Sequence, residues 1–90
     1  MVVKSVDEEL VDVICQTLGV RRAQDLGNIS RDTRLIEDLG FESILLIQLV
    51  INIEEHFNVL FKAEKLLAEN LNLFGSLADQ VRQLVGGKNG

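Results

Sequence analysis

Ser43 directly follows Gly40-Phe41-Glu42 and directly precedes the apolar run Ile44-Leu45-Leu46-Ile47. A hydroxyl at a helix start suits covalent phosphate chemistry, because a phosphodiester there meets free backbone N–H groups and the positive end of the helix dipole. Local spacing alone supports a plainer reading. Serine is a preferred N-cap residue and glutamate is not, so Ser43 is most simply the cap of the helix that follows. Gly40 lets the chain turn sharply into that helix, and Phe41 either anchors the loop or stands beside the serine as a contact for a partner.

The remaining chemistry-bearing residues lack the company a site needs. Cys15, on the rim of an apolar helix face, reads as a small buried or half-buried residue rather than a reactive thiol. His56 has no second histidine or cysteine beside it to complete a metal set and reads as a solvated surface residue. Asp7, Glu8, Glu9 and Asp12 crowd a helix start, where acids favour the dipole. Glu37, Asp38 and Glu42 fit no calcium-loop spacing, and Arg21-Arg22 is too short to bind nucleic acid. With one histidine, one cysteine and no paired motif, neither catalytic residues nor a metal site are expected.

Composition narrows the field further. The 90 residues suit one domain, spanning 1–90, and their 47% hydrophobic content with 26% charged residues fits a globular chain. A net charge of −5, from 14 acids against 9 bases, disfavours nucleic acid and anionic membranes and favours partners with basic faces. A single cysteine excludes an intramolecular disulfide, and the amino terminus has no secretory pattern, so a cytoplasmic location is expected. The apolar run Ile44–Ile53 is about half the roughly 20 residues a membrane helix requires. A monomer with no membrane contact is expected.

Four helical segments must position Ser43. Ser5-Val6-Asp7-Glu8 has the form of a capping box, and Val6, Leu10, Val13, Ile14 and Leu18 recur at helical spacing before Gly19, which predicts a helix over about 5–18. Residues 19–42 show no sustained period and read as a long loop that is functional or hides a short helical turn, with Leu26, Ile29, Leu35, Ile36 and Leu39 pinning it to the core. From Ser43 to Phe57 neither Gly nor Pro intervenes, and Gln48, Asn52 and Glu55 make a helical stripe. On that second helix Leu46, Leu49, Val50, Ile53 and Phe57 form the buried face. Ile44, Ile47 and Ile51 lie on a neighbouring arc, in line with Ser43. A short third helix over about 62–70 would turn Leu66 and Leu67 inward. A fourth, over about 76–85, would begin at Ser76 and end at Gly86-Gly87, leaving a frayed tail over 86–90. The fold class is all-α, a small four-helix bundle of three longer helices and one short.

Asp38-Leu39-Gly40, Ser43 and Glu54-Glu55-His56-Phe57, with the helix order and the long first loop, resemble the acyl carrier and peptidyl carrier proteins over about residues 6–85. The resemblance implies a phosphopantetheine arm, derived from coenzyme A, attached to Ser43 by a phosphopantetheinyl transferase. It also implies an acyl-carrier-protein-like bundle whose second helix docks partners, with Phe41, Glu42, Ile44, Ile47, Ile51 and Glu54 as the contact residues. For the isoleucines, a satellite of the core is the rival reading. Glu42 stands where the family usually has Asp, at the residue that helps the transferase recognise the serine, which implies slower or transferase-selective modification. Leu45 and Gln48 occupy positions that are acidic in typical fatty-acid carriers, so docking should rest more on apolar contact and less on salt. The stretch 67–77 is longer than in those carriers and looks more like stand-alone peptidyl or specialised acyl carriers.

The function implied is a non-enzymatic carrier. It would hold acyl or aminoacyl groups as thioesters and present them to loading, elongating or offloading enzymes of fatty acid, polyketide or nonribosomal peptide biosynthesis. An apolar pocket between the second and third helices would receive the cargo. The alternative is an unmodified, carrier-like interaction module in which Ser43 only caps its helix.

Overall fold

The computed structural model describes residues 5–21, 23–66 and 71–88. Among them lie three α-helices, α1 (Val6–Leu18), α2 (Ser43–Phe57) and α3 (Phe74–Lys88), with 3-10 turns at Ala23–Leu26 and Ala63–Lys65. The fold is all-α, with α1 packed against both α2 and α3.

α1 starts where its capping residues require. The Glu8 N–H donates to Ser5 Oγ at 3.2 Å and the Ser5 N–H donates back to Glu8 Oε1 at 3.3 Å, which satisfies two otherwise orphaned donors. The helix ends at Gly19, in a left-handed conformation, with the Val20 N–H closing onto the Cys15 carbonyl at 2.8 Å. Leu10, Val13, Ile14 and Cys15 face inward. On α2 the buried residues are Leu46, Leu49, Val50 and Ile53, with Phe57 half-buried at the edge of the core. Leu10, Ile14, Leu49, Ile53, Leu77 and Val81 are among the fully buried side chains, each favouring burial by roughly 1.5–3 kcal/mol.

A polar seam accompanies this core. Gln48 Nε2 donates to Asn52 Oδ1 at 3.1 Å, Asn52 Nδ2 donates to Thr17 Oγ1 at 2.9 Å, and the Thr17 hydroxyl donates to the Val13 carbonyl at 2.8 Å. Asn52 of α2 is thereby committed to α1, with Gln48 bonded to it from within α2. This leaves a different arc of α2 free to face outward.

The long loop hides a short turn, Ala23–Leu26, and is tied to the chain before α3. Arg34 and Leu73 form an isolated antiparallel bridge, and the Leu35 N–H donates to the Asn72 carbonyl at 2.7 Å. The Phe74 and Gly75 N–H groups donate to the Thr33 and Arg31 carbonyls at 2.9 and 3.0 Å. These contacts correct the expected start of the last helix. It begins at Phe74 rather than Ser76, because loop carbonyls satisfy its first donors and Phe74 is buried. Its far end also differs. Residues 86–88 remain helical, since glycine costs a helix about 1 kcal/mol relative to alanine but does not forbid it.

Three further expectations change. Leu35 is buried and Leu26, Ile29 and Leu39 pack against the core, but Ile36 is exposed, with its N–H donating to the Asn72 side chain. Over the anticipated third helix the chain forms the 3-10 turn Ala63–Lys65, while 67–70, Leu67 included, lie outside the described residues. Leu66 is 41% exposed rather than turned inward.

Candidate functional site

The turn into α2 is built residue by residue. One carboxylate oxygen of Asp38 accepts the Arg34 N–H at 2.8 Å while the Asp38 N–H donates to the Arg34 carbonyl at 2.8 Å. Gly40 follows at φ +77, a left-handed conformation that favours glycine. The Phe41 N–H then donates to the Leu35 carbonyl at 2.9 Å and its ring is 2% exposed. Phe41 is therefore a loop anchor and not a docking contact, because a buried ring offers no surface to a partner. Asn72 braces the same turn: its Oδ1 accepts the Ile36 N–H at 2.8 Å and its Nδ2 donates to Glu37 Oε2 at 3.0 Å.

Glu42, extended at φ −105 and ψ 168, is the N-cap of α2, and Ser43 is the first helical residue. Ser43 therefore does not cap the helix. The Glu42 side chain makes no capping bond either, so among the described residues no side chain covers the N–H groups of the first turn. Ser43 is exposed, and among the described residues its hydroxyl has no hydrogen-bond partner. An exposed serine hydroxyl beside uncapped amides is a donor set that fits a covalent phosphodiester.

Below the serine runs the outward arc. Ile44 is 78% exposed, Ile47 62% and Ile51 41%, which overturns the core-satellite reading of these residues. Leu46, Val50, Leu66 and Leu71 join Ile47 and Ile51 in an apolar cleft of about 380 Å3 that opens at Ser43. Leu66 and Leu71 were not read from sequence as site residues, since nothing local to them signals a cleft that α2 completes. Glu54 also borders it, but one of its oxygens accepts the Phe61 N–H at 2.9 Å. Its carboxylate is half-buried and already engaged, so its work is to staple the chain after α2 rather than to offer a free charge.

The other candidates stay apart from this site. Cys15 is buried. His56 Nε2 lies 3.4 Å from Glu9 Oε1 and its ring stands edge-on to Phe57. Among the described residues no three of His, Cys, Asp and Glu are grouped to hold a metal ion, and no helix is long and apolar enough to cross a membrane.

The family model described as phosphopantetheine attachment site matches residues 8–82. The chain belongs to the phosphopantetheine-attachment family. Its cofactor is accordingly phosphopantetheine, held covalently, and the role of such a domain is to carry. Among this family's members, the acyl carrier protein of Buchnera aphidicola subsp. Baizongia pistaciae is 28% identical over 82 residues, covering 91% of this chain and 97% of that one. The acyl carrier protein of Chlamydia caviae is also 28% identical over 82 residues, covering 91% and 99%. The structure of the oxytetracycline acyl carrier protein superposes with a TM-score of 0.72 at 20% identity, covering 98% of this chain and 88% of that one, a likeness of fold.

Proposed function

We propose that Ser43 bears the phosphopantetheine, that the cargo is an acyl group, and that partner enzymes dock on Ile44, Ile47 and Ile51. One observation carries this reading: the Ser43 hydroxyl is exposed and, among the described residues, unpartnered on the first residue of α2, between the Gly40 turn and an apolar row. When attached, the arm supplies a thiol that holds the cargo as a thioester. The chain's own residues do the rest. Ser43 Oγ forms the bond to the pantetheine-side phosphorus of coenzyme A as the pyrophosphate P–O bond breaks and adenosine 3′,5′-bisphosphate leaves, the hydroxyl proton passes to a base of the transferase, and the uncapped N–H groups of the first turn face the negative charge of the phosphodiester.

Two observations favour an acyl over an aminoacyl cargo. The relatives are acyl carrier proteins, and the cleft at Ser43 is walled by Leu46, Ile47, Val50, Ile51, Leu66 and Leu71. An α-ammonium entering it would lose water and, among the described walls, meet only a carboxylate already bonded to Phe61. The same lack of free acids on the outer arc of α2 supports docking by apolar contact, with Glu42 and Glu55 left to steer a basic surface. Reaction chemistry then belongs to the partners. Against the rival reading, an unmodified module capped by Ser43, stands the N-cap position of Glu42 and the lack, among the described residues, of a capping bond from Ser43.

Incubating the purified chain with coenzyme A and a broad-specificity phosphopantetheinyl transferase tests the proposal by intact mass. The chain should gain one arm and Ser43→Ala none. Because no capping bond is lost, Ser43→Ala should also shift stability by less than about 0.5 kcal/mol. An unmodified wild-type chain, or an arm on the alanine variant, would sink the reading.

A further inference from the structure

The cleft that opens at Ser43 has a far end, and Glu54 stands there. From Ser43 to Glu54 the axis of α2 advances about 16 Å, at about 1.5 Å per residue. Glu54 is the one charged residue among the described walls, which are otherwise apolar apart from Ser43. Its position is fixed twice over. Its carbonyl accepts the N–H groups of Asn58 and Val59, and a side-chain oxygen accepts the part-buried Phe61 N–H at 2.9 Å. Beyond it lies a larger cleft of about 820 Å3, whose apolar walls include Val59, Leu60 and Leu84. Ile51 and Glu54 line both clefts, so these two side chains form the partition between them.

Volume and length agree on how much alkyl chain fits before the partition. At about 30 Å3 for each water-sized group, a cleft of about 380 Å3 holds about a dozen heavy atoms. Staggered carbon–carbon bonds of about 1.5 Å advance about 1.25 Å per atom, so about 16 Å spans a similar number. With the thioester's own atoms at the mouth, about ten acyl carbons fill the cleft. A longer chain has two ways on, both unfavourable. It presses methylenes against a carboxylate, which loses water without gaining a partner, or it breaks the bond to Phe61 and strands a part-buried donor.

We infer that Glu54, pinned to Phe61, limits the cargo this chain shelters to acyl groups of about ten carbons, and that longer groups leave their ends exposed. The inference rests on the proposal that Ser43 bears the arm and that the cargo is acyl. It gives the acid at the end of α2 a part in cargo length, through a contact with the alkyl end and not through a free charge. Removing the Glu54 side chain joins the two clefts and gives a longer chain an apolar path past Ile51 toward Val59 and Leu60.

The test loads the full chain from hexanoyl-, decanoyl- and hexadecanoyl-coenzyme A with a broad-specificity transferase, confirms each thioester by intact mass, and measures how fast hydroxylamine cleaves it. In the wild type the decanoyl thioester should be cleaved about tenfold more slowly than the hexanoyl, because each sheltered methylene favours burial, and the hexadecanoyl within about twofold of the decanoyl. In Glu54→Ala the hexadecanoyl thioester should be protected about fivefold beyond the decanoyl. Glu54→Gln keeps an acceptor for the Phe61 N–H and should restore the wild-type limit. Ile51→Ala opens the same partition without touching that bond; it should show the gain of Glu54→Ala, and carries the comparison if circular dichroism finds Glu54→Ala unfolded. Protection that climbs without a break to hexadecanoyl in the wild type would overturn Glu54 as the stop while leaving attachment at Ser43 intact. So would a limit that stays at decanoyl in every folded alanine variant, or one that Glu54→Gln fails to restore. A wild-type chain that takes no arm would instead overturn both.

Discussion

Glu42 occupies the N-cap position of α2 with the right backbone and the wrong side chain for capping. Its extra methylene, relative to aspartate, carries the carboxylate past the N–H groups that a shorter cap would bond. Two consequences follow at the scale of this residue. The amides of the first turn remain free beside Ser43, and some helix stability is left unused. Glu42→Asp should therefore raise the stability of the chain by about 0.5–1 kcal/mol, read as a higher urea midpoint with an unchanged slope. A midpoint that stays put or falls would show that those amides are not free. The same substitution restores the residue usual in the carrier family at this position. Comparing loading rates of the two forms therefore separates recognition of the side chain from stability of the helix.

α2 works as an element because its faces have different partners. Leu46, Leu49, Val50 and Ile53 enter the core, Gln48 and Asn52 form the polar seam to Thr17, and Ile44, Ile47 and Ile51 face outward. Its last turn is closed by Asn58 in a left-handed conformation, whose N–H donates to the Glu54 carbonyl. The Glu54 side chain then receives the Phe61 N–H, so one residue ends the helix and fixes the direction of the chain beyond it. Glu54→Ala would leave that part-buried donor without its acceptor, at a cost of about 1–2 kcal/mol in chemical denaturation. Glu54→Gln keeps an acceptor oxygen and should retain most of the wild-type stability. Equal losses in both variants would instead show that the charge matters more than the bond.

For the whole molecule, the question is what holds a long loop in one conformation beneath the site. Backbone bonds tie residues 31–35 to residues 72–75, and there is no spare room at the crossing, since a Cβ on Gly75 would lie 2.8 Å from the Arg31 Cβ. Side chains extend the tie. Arg31 Nη1 and Nη2 donate to Asp79 at 3.1 and 2.6 Å, and Arg82 bonds both Asp79 and Asp7, joining loop, α3 and α1. The hydrogen bond from Arg31, and then that from Arg82, holds the Asp79 carboxyl down from 3.8 to about 2. A depressed carboxylate contributes stability that is present above its unfolded value and lost as pH falls through its folded one. Asp79 should thus add an acid-side decline in stability between 3.8 and about 2 that Asp79→Asn lacks. These groups are about half exposed, so the contribution is small and 1 M salt should flatten it. Thermal melts across that pH range, with and without salt, check the sign.

The sequence by itself determined the elements whose signals are local. The capping box of Ser5 and Glu8, the buried arc Leu46, Leu49, Val50 and Ile53, and the apolar row in line with Ser43 follow from a period of 3.6 and from residues three or four apart. The run around Ser43, on which the proposed attachment rests, was legible for the same reason, as a short stretch around one serine. Only the tertiary structure decided matters that depend on distant partners. Ser43 is the first helical residue rather than the cap because a turn anchored by buried Phe41, and braced by an Asn72 side chain 36 residues from Ile36, sets the backbone of Glu42. Phe74 opens α3 because Arg31 and Thr33 supply the carbonyls that its first donors need. Spacing along the chain cannot report such bonds, since the backbone groups that make them are the same in every residue and are matched only once the loop has folded against α3.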